Sequence, residues 1–99
     1  MIYPSKNPSF LFIHCFTDWC GSCQTMHSII EKVKETFSEN ITFLDLNMDL
    51  HSDFAKKYYV SSVPTFILLK DQKEIWKYSG LFTFNEIQKK LNQLIHSND

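Results

Sequence analysis

The chain has 99 residues, 43% of them hydrophobic and nine of them phenylalanine, with only two glycines and three prolines. That length suits one domain spanning residues 1–99, able to bury roughly 60 to 70 per cent of its unfolded surface, and the composition argues against disorder or a loop-rich scaffold. Ten basic and eleven acidic residues leave a formal charge of -1, without a like-charge run to draw nucleic acid or an anionic membrane, and three cysteines are too few and too uneven for a disulfide framework.

The element order begins with Phe10 to Phe16, a run dense in aromatic and aliphatic residues after Pro8, which predicts a buried strand. Its longest apolar stretch, Phe10-Leu11-Phe12-Ile13, stops at His14, far short of the ~20 residues that span a bilayer, so no membrane insertion is expected. The first nine residues lack the charged segment, apolar run and small-residue cleavage site of a leader, which favours a cytoplasmic protein; a mature exported form stripped of its signal would read the same way.

From Cys20 the pattern turns helical, with Met26, Ile29, Ile30, Val33 and Phe37 on one face and Glu31, Lys32, Lys34 and Glu35 expected to point away from it. Asn40 closes that helix, and Ile41 to Leu46 predicts a second strand. Ser52 or Asp53 is placed to cap a short helix ending near Tyr59. Thr65 to Lys70 and Glu74 to Ser79 read as an antiparallel hairpin across Asp71-Gln72-Lys73. Thr83 and Glu86 form a capping box ahead of the stripe Phe84, Ile87, Leu91, Leu94 and Ile95. Strands alternating with helices and followed by a hairpin imply an α/β fold, a mixed central sheet flanked by helices on both faces.

Chemistry concentrates at Trp19-Cys20-Gly21-Ser22-Cys23, where the first strand gives way to a helix. Backbone amides at a helix N-terminus stabilise an anion, so Cys20 there is enriched in thiolate, the nucleophilic form. Cys23 follows three residues later on the same side, within reach of a mixed disulfide at Cys20. Two other readings stand beside this one. The cysteines could be small buried hydrophobes, or, with His27 one turn beyond Cys23, part of a metal site, although the chain offers no second cysteine pair to complete a tetrahedral zinc centre and no metal is expected. Cys15, on the strand face opposite His14, reads as buried apolar filler.

With these residues in view the sequence resembles the thioredoxin family. Trp19-Cys20-Gly21-Ser22-Cys23 is similar to that family's WCGPC segment, with Ser22 replacing the proline. Val63-Pro64-Thr65 resembles its cis-proline loop, and Gly80 resembles its glycine before the last helix. The three motifs lie in register with bacterial thioredoxins, and the resemblance runs from about Phe10 to Ile95. It implies a thioredoxin-like fold with a shortened N-terminus, because only nine residues precede Phe10, and hence one bare sheet edge. It also implies an exposed attacking thiol at Cys20 and a buried resolving thiol at Cys23. Trp19, Gly21 and Ser22 would border the dithiol, and Val63, Pro64 and Gly80 would border an extended substrate segment. Without the resemblance, Pro64 reads as an ordinary strand-start proline.

The chain departs from the family pattern at Ser22, at Ser28 where a kinking proline is common, at Gln72 where glycine is common, and behind the dithiol. There His14 stands in place of the family's buried aspartate and Asp45 in place of its lysine. If the strands align as in the family, His14 and Asp45 form a pair relaying the Cys23 proton; otherwise they are a structural polar pair or two residues facing water. The resemblance implies reduction of protein disulfides by a monomer without a bound cofactor, recharged by a thioredoxin reductase or another electron donor. The competing functions are a glutaredoxin-like, glutathione-dependent enzyme and a non-catalytic interaction module.

Overall fold

A computed structural model describes residues 9–96 together with the backbone of residues 2–3. The elements are β1 (Ile2–Tyr3), β2 (Phe10–Phe16), α1 (Gly21–Thr36), β3 (Thr42–Asn47), α2 (Ser52–Lys57), β4 (Thr65–Lys70), β5 (Lys73–Ser79) and α3 (Phe84–Ile95). The rest of the segment up to Pro8, over which no leader is expected, lies outside the described residues.

The sheet has the order β1-β3-β2-β4-β5. β2 runs parallel to β3, with His14 beside Asp45, and antiparallel to β4, with His14 beside Phe66 on the other flank. Because alternate residues of a strand face opposite sides, β2 divides its side chains between two cores. Phe10 and Phe12 join Phe43, Phe66 and Leu68 under α1 and α3, which supply Met26, Ile30, Val33, Ile87 and Leu91. Ile13 and Cys15 join Ile67 and Leu69 on the opposite face, where Phe54, Tyr58 and Val60 of the α2 region pack. Fully burying one such side chain stabilises the fold by about 1.5–3 kcal/mol, so the phenylalanine-rich first core is the larger contributor.

Several expectations change in detail. The edge expected to be bare carries β1, which pairs antiparallel with Phe43 and Leu44 of β3. α1 stops at Thr36, where the Phe37 amide donates to Val33 O (3.0 Å), and Asn40 belongs to the following turn through its bond to Phe37 O (3.0 Å). α2 is capped neither by Ser52 nor by Asp53: His51 occupies the N-cap without a side-chain cap bond, because its ring Nδ1 is engaged with Asn47 O at 2.9 Å. That helix ends at Lys57, and Tyr59 turns left-handed at φ 56°. Lys34 does not point away from the core but is buried. It lies four residues after Ile30 and three before Phe37, so it continues the buried face.

The capping box at α3 forms in both directions: the Glu86 amide donates to Thr83 Oγ1 (3.1 Å) and the Thr83 amide donates to Glu86 Oε1 (2.8 Å). The β4–β5 hairpin closes through Asp71 and Gln72, both at positive φ (50° and 70°) as a two-residue type I′ turn requires. Among the described residues no helix is long and apolar enough to cross a membrane.

Candidate active site

The C-terminal end of β2 feeds the dithiol into the first turn of α1. The Cys20 amide donates to Thr17 O (3.3 Å), closing the turn, and Cys20 then serves as N-cap in an extended conformation, φ -88° and ψ 107°. A side-chain acceptor at that position satisfies one orphan amide of the helix, and here the acceptor is sulfur: the Cys23 amide donates to Cys20 Sγ at 3.0 Å. Cys20 and Cys23 are joined in a disulfide with Cα atoms 5.3 Å apart. Ser22 Oγ lies 3.5 Å from Cys20 Sγ, and because the bridged sulfur carries no proton, the hydroxyl is the donor.

The expected contrast between an exposed Cys20 and a buried Cys23 is absent in this disulfide state. The two bridged residues retain 5% and 4% of their exposure. The asymmetry lies in surroundings instead. Cys20 meets amide and hydroxyl donors at the helix start, whereas Cys23 borders a cavity behind the dithiol. Trp19 is 73% exposed beside the pair, its indole N–H donating to Asp49 Oδ2 at 2.9 Å, and Gly21 faces open space. Cys15 is fully buried and burial pushes its thiol up to about 12, only partly offset by the charge of Lys77, so it stays a protonated apolar filler at neutral pH.

The cavity, about 520 Å³, is bordered by His14, Thr17, Asp18, Cys23, His27 and Asp45 among others. His14 stacks on Phe66 (ring centroids 5.0 Å apart, planes 13° apart) and turns Nδ1 toward Asp45 Oδ1 at 3.5 Å. Its Nε2, like Thr17 Oγ1, is buried without a hydrogen-bond partner among the described residues. Asp45 also receives Lys34 Nζ at 2.5 Å, and Lys34 reaches Glu31 at 3.1 Å. Burial works to raise the Asp45 carboxyl, but the neighbouring His14 ring, the hydrogen bond from Lys34 and the Lys34 charge outweigh it and hold the group below its ordinary value. Burial works to lower the Lys34 ammonium, and its bonds to Asp45 and Glu31 outweigh that and hold it above. His27 is exposed, and among the described residues no three His, Cys, Asp or Glu groups are placed to hold a metal ion.

The remaining site residues arrive at the same end of the sheet. The Val63–Pro64 bond is cis, and Thr65 immediately pairs with Cys15 of β2 and Ser79 of β5. The Gly80 amide donates to Pro64 O at 3.1 Å while Gly80 sits at φ 123°, a region that favours glycine. The Thr65 hydroxyl donates to Ser62 O (2.7 Å), which leaves the Ser79 hydroxyl to donate to Thr65 Oγ1 (2.8 Å). Pro64 and Gly80 are thus tied together by a hydrogen bond. Lys34, Asp49, Thr17 and Ser79 are the site's contributors that sequence reasoning missed; for Lys34 the helical spacing from Ile30 was a readable signal.

Residues 5–93 match the family described as Thioredoxin, and the chain belongs to that family. It is 34% identical over 83 residues to a thioredoxin of Chlamydia caviae, covering 84% of this chain and 80% of that one. It is 30% identical over 81 residues to the chloroplastic thioredoxin Y2 of Arabidopsis thaliana, covering 82% of this chain and 48% of that one. The chain spans about half the length of the chloroplastic thioredoxin Y relatives it matches. Among solved structures, oxidized mitochondrial thioredoxin 3 of Saccharomyces cerevisiae superposes with a TM-score of 0.79 at 28% identity, covering 89% of this chain and 81% of that one. A mutant thioredoxin from Halobacterium salinarum reaches 0.81 at 23% identity over 93% of this chain and 79% of that one, a likeness of fold alone.

Proposed function

We propose that the chain is a thiol-disulfide oxidoreductase that reduces protein disulfides through Cys20 and Cys23. The observation that carries this reading is the disulfide-forming pair at the start of α1, with Cys20 Sγ accepting the Cys23 amide. A thiolate at Cys20 gains the same amide, the Ser22 hydroxyl and the positive end of the helix. It attacks one sulfur of a substrate disulfide, forming a mixed disulfide and expelling the other sulfur as a thiolate. Cys23, once deprotonated, attacks Cys20 Sγ, expels the second substrate thiolate and closes the Cys20–Cys23 bridge. Two electrons from a thioredoxin reductase or another donor reopen it.

Within this reading neutral His14 accepts the Cys23 proton, directly or through water in the cavity, and Asp45 orients the imidazole. Support comes from the shared cavity and from the unpartnered Nε2 of His14. Trp19, Gly21, Ser22, Val63, Pro64 and Gly80 border the substrate segment, a monomer suffices for the chemistry, and a cytoplasmic location belongs to the same reading. The family match does not favour the glutaredoxin-like or the non-catalytic alternative. Insulin-type disulfide reduction, measured with a thioredoxin reductase or with glutathione as the recycling system, tests the proposal. Turnover above that of a small dithiol, sustained by the reductase, is expected; a rate no greater than that dithiol's would refute it.

A further inference from the structure

Three ionisable groups from three elements meet behind the dithiol, and their order matters. Asp45 on β3 stands between Lys34 of α1, 2.5 Å away, and His14 of β2, 3.5 Å away. The carboxylate's closer partner is therefore the ammonium. Lys34 and His14 are each only 6% exposed and Asp45 is half-buried, so the net charge of this cluster has limited water to stabilise it. We propose that Lys34 is a positioning residue of the resolving step: by compensating Asp45 it keeps His14 neutral, with its proton on Nδ1 toward Asp45 and the lone pair of the unpartnered Nε2 left to accept a proton, in a residue that borders the same cavity as Cys23. The inference rests on the reading of His14 as proton acceptor and identifies what prepares it.

Even a half-buried carboxylate without a cation is costly, and an adjacent imidazole relieves that cost by taking a second proton. An imidazolium has no lone pair and accepts nothing from a thiol. With Lys34 present the Lys34–Asp45 pair is already neutral, while Glu31, the ammonium's other carboxylate, is solvated; a second proton on His14 would bring a second cation to Asp45. The lowered Asp45 and raised Lys34 values agree with this arrangement. The hydrogen bond made by one imidazole nitrogen selects the tautomer at the other, and Nδ1 has Asp45 as its neighbour while Nε2 has no partner among the described residues. The remaining ionisable groups around the cavity do not replace Lys34. Cys23 and exposed His27 come from α1 and exposed Asp18 from the loop after β2, Glu31 reaches the cluster only through Lys34, and β4 contributes the uncharged Phe66 ring.

The test has two arms. Nitrogen-15 NMR of the imidazole rings in the unaltered protein at neutral pH should show His14 protonated at Nδ1 and bare at Nε2. A ring protonated at Nε2 alone, or at both nitrogens, overturns the proposal without any variant. In Lys34→Met, which keeps the side chain's length without its charge, the doubly protonated form of His14 should gain population. Resolution of a preformed mixed disulfide by Cys23 should slow about three- to tenfold at neutral pH and recover at higher pH, whereas alkylation of Cys20 should be unaffected. Lys34→Arg should restore the parent ring signature. An unchanged His14 ring and pH profile in Lys34→Met would overturn the role of Lys34. An unchanged resolution rate in His14→Ala would instead refute the reading of His14 as base, and the two failures are read from different variants.

Discussion

The Ser22 hydroxyl, 3.5 Å from Cys20 Sγ, is the most local feature by which this site can set its own chemistry. A donor aimed at the sulfur favours the thiolate and hence the reduced dithiol. Ser22→Pro removes that donor, so the disulfide should become harder to reduce, by about 1 kcal/mol or roughly 20 mV. Equilibration with glutathione buffers measures it, and a shift toward easier reduction would contradict the assignment. At this scale the sequence was informative about identities and less so about partners. The place of Cys20 at a helix start follows from the change of hydrophobic period alone. That Trp19 is held by Asp49, thirty positions away, does not, because the bond depends on where β3 delivers the chain.

Among the elements, the β4–β5 hairpin and the α1–β3 contact each carry a measurable energy. Asp71 and Gln72 both adopt left-handed backbone, and Gln72 at φ 70° bears a Cβ that this region disfavours. Gln72→Gly should therefore raise stability by about 1 kcal/mol in denaturant titration, the Cβ relief exceeding glycine's greater unfolded entropy. The hairpin itself was legible from its polar turn, but its left-handed geometry was not, since neither residue is glycine. The Lys34–Asp45 contact joins α1 to β3 and links folding to pH. Asp45 lies below its ordinary 3.8 in the folded state, so its contribution is complete above that value and is lost as pH falls through the lower folded one. Lys34 lies above its ordinary 10.5, so its contribution is complete below that value and is lost as pH rises through the higher folded one. Urea unfolding across pH should show stability declining more steeply in acid for the parent than for Lys34→Met; parallel curves would deny the linkage. Reading helix α1 as a simple amphipathic stripe hid this contact, because a lysine on the buried face is stable only with the carboxylate that β3 brings to it.

Over the whole molecule, one end of a mixed sheet collects the functional parts. β2 ends in the dithiol turn, β3 ends beside Asp49, β4 begins after the cis Val63–Pro64 bond, and β5 ends before Gly80. The alternation of Phe12, His14 and Phe16 against Ile13 and Cys15 assigned the two faces from sequence, since a strand of period two admits no other division. The antiparallel pairing of β1 was not legible, because a two-residue strand has too little pattern to read. The central claim, that Cys20 attacks and Cys23 resolves, is tested most directly by trapping. Cys23→Ser presented with a disulfide-bonded protein substrate should accumulate a mixed disulfide through Cys20, whereas Cys20→Ser should trap no complex and show no turnover. Equal yields of trapped complex from the two variants would contradict the assignment.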